Sequence, residues 1–276
     1  MKLNEIYKIA DEYAPKALSD SFCSTYNAYD NSGVLVDAGE EIQGVLFSLD
    51  LSLRAIALAK EKGCNLIVTH HPAIYSKIGR LCADDHGTGE KIVECLKNRI
   101  SVISMHLNLD GAIGGTDESL KEGIQKAASG RGMVETNEKT EILFAMQAKE
   151  MDGGYGRVYD VAETKLKTLF ENVGKEFSTK RMTLYGEEDR KIRRVASFCG
   201  AGGDEGAVEF ALKKGADVIV SSDFKHHVLA SATERGLAVI ALTHYASEHY
   251  GFKKYYEKIR CRVGIPCVLF TDETLM

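Results

Sequence analysis

Short apolar runs alternate with amphipathic stretches along most of the chain. The apolar runs predict buried strands, and stretches with apolar residues three and four positions apart predict helices. The predicted strands are EIQGVLFSL (41–49), NLIVT (65–69), ISVIS (100–104), ILFAMQA (142–148), IRRVASF (192–198), DVIVS (217–221), AVIALT (238–243) and CVLF (267–270). The predicted helices are MKLNEIYKIADEYAPKALSD (1–20), LSLRAIALAKEKG (51–63), GEKIVECLKN (89–98), GTDESLKEGIQKAA (115–128), AETKLKTLFENVG (162–174), DEGAVEFALKKG (204–215), FKHHVLASATERG (224–236) and HYASEHYGFKKYYEKI (244–259). This alternation predicts an α/β protein with largely parallel sheets.

Two polar or glycine-rich segments interrupt the alternation. SGRGMVETNEKTE (129–141) is our linker candidate, and GGYG (153–156) is predicted to be a turn. The helix before the linker has Thr116 and Asp117 as N-cap candidates. The pattern therefore allows the chain to divide near residue 130.

A weak repeat relates the two parts of the chain. EKGCNLIVTHH (61–71) resembles KKGADVIVSSD (213–223). After each copy come a helix and a short strand that ends at a histidine, which is His106 in the first part and His244 in the second. Each histidine is followed four residues later by a carboxylate, Asp110 or Glu248. The alternative is that all βα units look alike, but the shared spacing of histidine and carboxylate favours a functional match.

Two adjacent histidines end the predicted strand NLIVT. Successive side chains of an extended segment point in opposite directions, and Pro72 favours an extended conformation of His71. His70 and His71 therefore cannot serve one metal ion in the same way, but each can face a different ion of a close pair. Adjacent histidines thus indicate a dinuclear site.

Three imidazoles and two carboxylates follow predicted strands, where α/β proteins place their sites. They are His70, His71, Asp110, His244 and Glu248. Two ions about 3.5–4 Å apart, bridged by a carboxylate and a water, need a set of about this size. Such ligands suit zinc, iron, manganese or nickel and argue against calcium. The alternative for any single histidine after a strand is a capping or core residue.

Composition limits the classes of protein that this chain can be. With 276 residues and 44% hydrophobic positions it can form one large or two modest domains. The net charge of -5 argues against general nucleic-acid binding.

There is no apolar run of about 18 residues, so no membrane span is expected. The beginning of the chain lacks the apolar core of a signal peptide. Seven cysteines without a CxxC pair argue against structural zinc and favour a reduced, cytoplasmic protein.

Three further motifs carry weaker hypotheses. In SSDFKHH (221–227), Asp223 could orient a ligand histidine and Lys225 could bind an anionic substrate, although a helix start with surface histidines is the alternative. The glycine-rich segments 110–117 and 200–206 could hold phosphate, but they match no phosphate-binding fingerprint and favour tight turns before helices. Cys199 ends an apolar strand, which favours a core thiol over a nucleophile.

Five motifs occur in the order in which a known family has them. They are DNSG (30–33), IVTHHPAIY (67–75), HLNLD (106–110), SSDFKHH (221–227) and THYASE (243–248). Over essentially its whole length the chain resembles the Nif-three-like proteins, which are widely named GTP cyclohydrolase I type 2 homologues. The resemblance implies two similar α/β domains with a dinuclear metal site in the cleft between them, and a toroidal homohexamer. It also implies a discontinuous first domain, 1–130 plus 235–276, and a second domain, 131–234.

The resemblance implies that the metal ligands are the five residues already selected by their spacing. Glu248 would be shared between the ions, and His106 would lie beside them in a proton-transfer or supporting role. Ser222 and Thr243 depart from the family pattern, because the family usually has glycine at both positions. Side chains then stand where the family has bare backbone, so these positions bear on substrate access and identity.

The resulting hypothesis is a hydrolase with two divalent transition-metal ions per chain, acting on a nucleotide or related small molecule. By resemblance the substrate is GTP: hydroxide attacks C8 of guanine, the imidazole ring opens and formate leaves, with His106 carrying the proton. The alternative is a non-catalytic metal-binding regulatory or interaction protein. A third hypothesis makes the metals structural, so that chelation would unfold the protein.

Overall fold

The computed structural model describes residues 1–84, 87–130, 140–149 and 151–276. Within these ranges it contains ten helices and eleven strands, and the strands form two sheets. Most of the predicted linker falls at 131–139 and lies outside the described residues. The chain is therefore a mixed α/β protein, as its hydrophobic pattern predicts.

Contacts divide the chain into two compact units. The first unit is Met1–Ile113, Met146–Gly153 and Phe252–Thr271, and the second is Gly114–Ala145, Gly154–Gly251 and Asp272–Met276. The predicted domain bounds stay a prediction, because compact units are defined by contacts and domains by independent folding.

The first unit contains a five-stranded sheet. Its helices and strands are α1 (Leu3–Tyr13), α2 (Lys16–Tyr26), β1 (Gly33–Val36), β2 (Val45–Ser48), α3 (Leu53–Glu61), β3 (Leu66–Thr69), α4 (Thr88–Lys97), β4 (Ser101–Ser104), α5 (Leu107–Gly111) and β11 (Cys267–Leu269). The strand order is β1-β4-β3-β2-β11, with β1 antiparallel to β4 and the other neighbours parallel. Every residue of β2, β3 and β4 is buried, which explains their unbroken apolar runs.

The second sheet has six strands and is mixed. The remaining elements are α6 (Thr116–Ser129), β5 (Glu141–Ala148), β6 (Met151–Lys165), α7 (Leu166–Glu176), β7 (Thr183–Tyr185), β8 (Lys191–Ser197), α8 (Glu205–Lys213), β9 (Val218–Ser221), α9 (His226–Glu234), β10 (Ala238–Ala241) and α10 (His244–Arg260). The strand order is β5-β6-β8-β9-β10-β7. Strands β8, β9 and β10 are parallel, whereas β6 and β7 are antiparallel to their neighbours β8 and β10. The prediction of largely parallel sheets is therefore wrong for this sheet.

The sequence repeat corresponds to the same βα units in the two sheets. Strands β3 and β4 are parallel neighbours joined through α4, and β9 and β10 are parallel neighbours joined through α9. Each sheet thus places a histidine just after its equivalent strand, His106 after β4 and His244 after β10. The positions of these histidines follow from the fold and not from chance spacing alone.

Four local predictions were wrong. The predicted GGYG turn lies inside β6, and residues 162–165, predicted to be helical, also belong to this strand. The N-terminal helix is two helices, because the chain breaks at Ala14 and Pro15. Helix α6 is capped by the backbone of Gly115 without a side-chain bond, which places Thr116 and Asp117 in its first turn. The strands β1, β6 and β7 were not predicted.

Candidate metal centre

The first donor cluster, defined here as His70, His71, His106 and Asp110, lies at the carboxyl ends of β3 and β4. His70 and His71 follow β3 directly, as the apolar run predicts. His106 is the N-cap residue of α5, and Asp110 lies within that helix. Parallel neighbouring strands end at the same edge of a sheet, so these side chains come together.

The geometry of His70 and Asp110 suits a shared metal ion. The fully buried His70 imidazole places Nδ1 2.7 Å from the carbonyl oxygen of Met105, so Nδ1–H donates and Nε2 carries the lone pair. That Nε2 lies 3.4 Å from Asp110 Oδ1. Two ligands on one tetrahedral ion with bonds of about 2.0–2.2 Å stand about 3.3–3.6 Å apart. Donor atoms of His70, His106 and Asp110 lie within 4.8 Å of one another.

The other two imidazoles of the first donor cluster are oriented by carboxylates. Asp50 accepts a hydrogen bond from Nδ1 of His71 at 2.8 Å, and Asp30 accepts one from Nδ1 of His106 at 2.7 Å. Each histidine is therefore fixed in the tautomer that presents Nε2, as metal-binding imidazoles usually are. Asp30 and Asp50 were not among the predicted site residues.

Asp30 is a buried anion with a full set of hydrogen bonds. Its second oxygen accepts hydrogen bonds from the hydroxyls of Ser19 at 2.5 Å and Ser32 at 2.6 Å. Burial alone raises the pKa of Asp30, but the hydrogen bonds and charge of His106, with both hydroxyls, outweigh it and bring the pKa well below its ordinary value. The DNSG segment thus places a carboxylate with a lowered pKa behind His106.

The second donor cluster, defined here as His244, Glu248 and Asp223, lies at the start of α10. His244 places Nδ1 2.6 Å from Asp223 Oδ2 and Nε2 3.0 Å from Glu248 Oε1. This is the pairing that the four-residue spacing predicts on a helix. Asp223 makes the contact that its proposed orienting role requires, and the role itself stays a prediction. Lys225 is exposed at the N-cap of α9.

Gly200 lies directly against the carboxylate of Glu248. Gly200 has a φ of 58°, and a Cβ atom there would overlap Glu248 Oε1. Its amide donates to the Ser247 hydroxyl at 2.9 Å, and its carbonyl accepts from the Ser222 hydroxyl. Ser222 is fully buried. The serine that replaces the family glycine therefore has its hydroxyl engaged inside the fold.

Thr243 caps the helix that carries the second donor cluster. Its hydroxyl accepts from the amide of Ala246 at 3.0 Å. We expect Thr243→Ala to lower the free energy of unfolding by about 1 kcal/mol, and Thr243→Gly by a few tenths of that amount (~0.3 kcal/mol). Denaturant titrations of both variants would measure this, with Thr243→Ser as the control that keeps the cap. Equal stability of the alanine variant and the original protein would contradict the capping role.

The metal-free protein should lose stability as pH rises from 6.5 to 9. Burial lowers the pKa of His244, but the hydrogen bonds and charges of Glu248 and Asp223 prevail and raise it to about 9, from 6.5. Because the folded pKa is the higher one, the stabilisation is complete below pH 6.5 and disappears as pH rises through 9. We expect a loss on the order of 2 kcal/mol for this partly exposed pair. Denaturant titrations with chelator at both pH values would measure it, and His244→Asn should flatten the profile. An equal decline in the variant would contradict this origin.

Buried histidine and carboxylate groups of this chain can therefore hold a metal ion. The donor atoms are imidazole nitrogens and carboxylate oxygens, a set that suits divalent transition metals. All seven cysteines are free thiols. Cys199 is a buried core thiol, as its strand position predicts.

Comparisons relate this chain to known proteins. The family model described as Duf34/NIF3 (NGG1p interacting factor 3) matches residues 1–273. A Clostridium acetobutylicum protein named GTP cyclohydrolase 1 type 2 homolog is 31% identical, over 90% of this chain and 85% of its own length. A Clostridium perfringens protein of the same name is 30% identical, over 95% and 93%. The crystal structure of a hypothetical protein from Staphylococcus aureus has a TM-score of 0.80 and 25% identity, covering 99% of this chain and 97% of that one.

Among the described residues, no helix has the length and apolar character needed to cross a membrane.

Proposed function

Because the chain belongs to the Duf34/NIF3 family, we propose that it is a dinuclear metal-dependent hydrolase. Two divalent transition-metal ions, of zinc, iron, manganese or nickel, would be held by five side chains. These are His70, His71, Asp110, His244 and Glu248. His106 is proposed to carry a proton, with Asp223 supporting His244.

One observation carries this proposal: every imidazole of the two donor clusters has its Nδ1 bound to a fixed oxygen. The acceptors are Met105 O for His70, Asp50 for His71, Asp30 for His106 and Asp223 for His244. A surface or core histidine needs no such arrangement, whereas metal-binding imidazoles almost always have it. The four Nε2 atoms are therefore prepared as ligands or proton acceptors.

The residues of this chain divide the work of a hydrolytic reaction. Divalent ions, when bound, lower the pKa of a coordinated water from 15.7 toward about 7 and polarise the substrate. His106 accepts a proton at Nε2 while Nδ1–H stays hydrogen-bonded to Asp30, whose negative charge stabilises the imidazolium. Asp50 and Asp223 keep His71 and His244 from rotating, which fixes the geometry of the ligand set.

The proposed substrate is a nucleotide or a related small molecule. The relatives named GTP cyclohydrolase 1 type 2 homolog support this class. Lys225 is proposed to meet an anionic part of the substrate because its side chain is exposed and cationic. We further propose a cytoplasmic homo-oligomer, with the toroidal hexamer that the family resemblance implies.

Elemental analysis and product assays on one sample test the proposal. We expect about two ions per chain in protein purified without chelator, and release of formate or phosphate from at least one nucleotide. His71→Ala and Glu248→Ala should each lose metal and turnover. Two ions with no turnover on any nucleotide would instead favour a metal-binding regulatory or interaction protein. Less than one ion after reloading would refute the metal centre, and unfolding on chelation would favour the structural role.

A further inference from the structure

A cavity of about 560 Å³ opens in the first unit, in the segment that follows His71. It is lined by Pro72, Tyr75, Lys77, Ile78, Arg80 and the first residues of α4. This volume lies within the range of small-molecule sites, about 300–1,000 Å³. The cavity is therefore large enough for a phosphate-bearing ligand and not only for water.

The charged side chains that line the cavity are both cations. Lys77 and Arg80 are its charged lining residues, and within the described ranges no carboxylate is among its lining residues. Lys77 is exposed and forms no ion pair with any described residue. The chain as a whole is acidic, with a net charge of -5. A cavity with two cations in an acidic protein favours an anionic ligand.

Tyr75 is shared by the cavity and the first donor cluster. Its ring lines the cavity, and it also stands edge-on to the His106 imidazole with the ring centroids 6.4 Å apart. A second edge-on contact, at 5.5 Å, joins it to Tyr29. A ligand in the cavity would therefore contact the Tyr75 ring, which also contacts His106, the proposed proton carrier.

The segment that begins the cavity is fixed to the site. The Ala73 amide donates to the Ser104 hydroxyl at 3.1 Å, at the end of β4. The side chain of Asn31, the residue after Asp30, donates a hydrogen bond to the Ile74 carbonyl at 2.6 Å. These bonds tie the start of the cavity wall to the residues that orient His106, so the two are positioned as one structure.

We propose that this cavity binds the phosphate part of the substrate, through Lys77 and Arg80, while the bond to be hydrolysed lies at the first donor cluster. The substrate class is then a phosphorylated small molecule whose phosphate lies on the far side of Tyr75 from His106. This inference rests on the proposed hydrolase function for the reaction, although anion binding itself does not require the metals.

Binding of inorganic pyrophosphate to the full-length protein tests the inference. Calorimetry would compare the original protein with Lys77→Gln, Arg80→Gln and the double variant, each with and without chelator. We expect a loss of affinity of about tenfold for each cation removed, because each makes a charge-assisted bond. Lys8→Gln, an exposed lysine of α1 in the same unit, is the matched control and should bind normally.

The outcomes separate this inference from the proposed function. Unchanged pyrophosphate affinity in the double variant, with normal metal content, would overturn the cavity assignment and leave the hydrolase proposal standing. If the double variant binds pyrophosphate more weakly than the original protein, and the original protein takes up no metal, the cavity assignment is supported and the hydrolase proposal is refuted. For any nucleotide that is hydrolysed, the double variant should raise KM more than it lowers kcat. An equal fall in affinity for the Lys8→Gln control would mean non-specific attraction and would also overturn the inference.

Discussion

Replacing Asp117 by alanine is expected to lower the free energy of unfolding by about 3–5 kcal/mol. Asp117 is fully buried and forms an ion pair with Arg157, which is only 3% exposed. It also accepts hydrogen bonds from the amides of Gly156 at 3.0 Å and Cys199 at 3.1 Å. Its removal would leave a buried guanidinium without its counter-charge and two buried amides without their acceptor.

Denaturant titration of Asp117→Ala would measure this loss against a matched control. Asp20→Ala removes an exposed ion pair, that of Asp20 with Lys16, and should cost less than about 1 kcal/mol. The double change Asp117→Asn with Arg157→Met keeps the volume without the charges and should recover part of the stability. Similar losses for Asp117→Ala and Asp20→Ala would show that Asp117 does not hold the second unit together.

The Gly200→Ala change is expected to weaken metal binding or turnover by about 10- to 100-fold. The new Cβ would overlap Glu248 Oε1 and come within 3.3 Å of His244 Nε2. Glu248 is 3% exposed, so its carboxylate has little room to move away. A proposed ligand would therefore be displaced by a residue that is not itself a ligand.

Gly215→Ala is the matched control for this change. Gly215 also has a positive φ, 69°, but no atom lies within 4 Å of the added Cβ. Both variants share the backbone strain of about 1 kcal/mol, and only Gly200→Ala disturbs Glu248. Metal content and melting temperature should be measured for both. If both lose the same stability and neither loses metal, Glu248 is not a ligand.

The sequence predicted the positions of the histidines that follow buried strands, and their role as metal ligands stays a prediction. β3 and β4 are buried at every position and contain the apolar runs 66–68 and 102–103, so the ends of both strands could be predicted together with the histidines that follow them. Asp50 comes two residues after β2 and carries the same signal, although it was not among the predicted site residues. The four-residue spacing of His244 and Glu248 also gave their contact, because it is local to one helix.

Long-range contacts could not be derived from the sequence. Asp30 lies 76 residues from His106 along the chain and follows no strand, so only folding brings them together. The GGYG prediction was wrong for a different reason. Gly154 and Gly156 lie against the side chains of Ile142 and Phe198 so closely that a Cβ would overlap them. Glycine there makes room for packing inside a strand, a use that resembles turn chemistry in sequence.

The carboxylates around the first donor cluster have a consequence for which ions can stay bound. They are Asp30, Asp50 and Asp110. Together they carry three negative charges, of which a divalent ion would compensate two and sodium or potassium only one. We expect this cluster to select divalent over monovalent cations by charge balance, even where the size of a monovalent ion would suit the ligands.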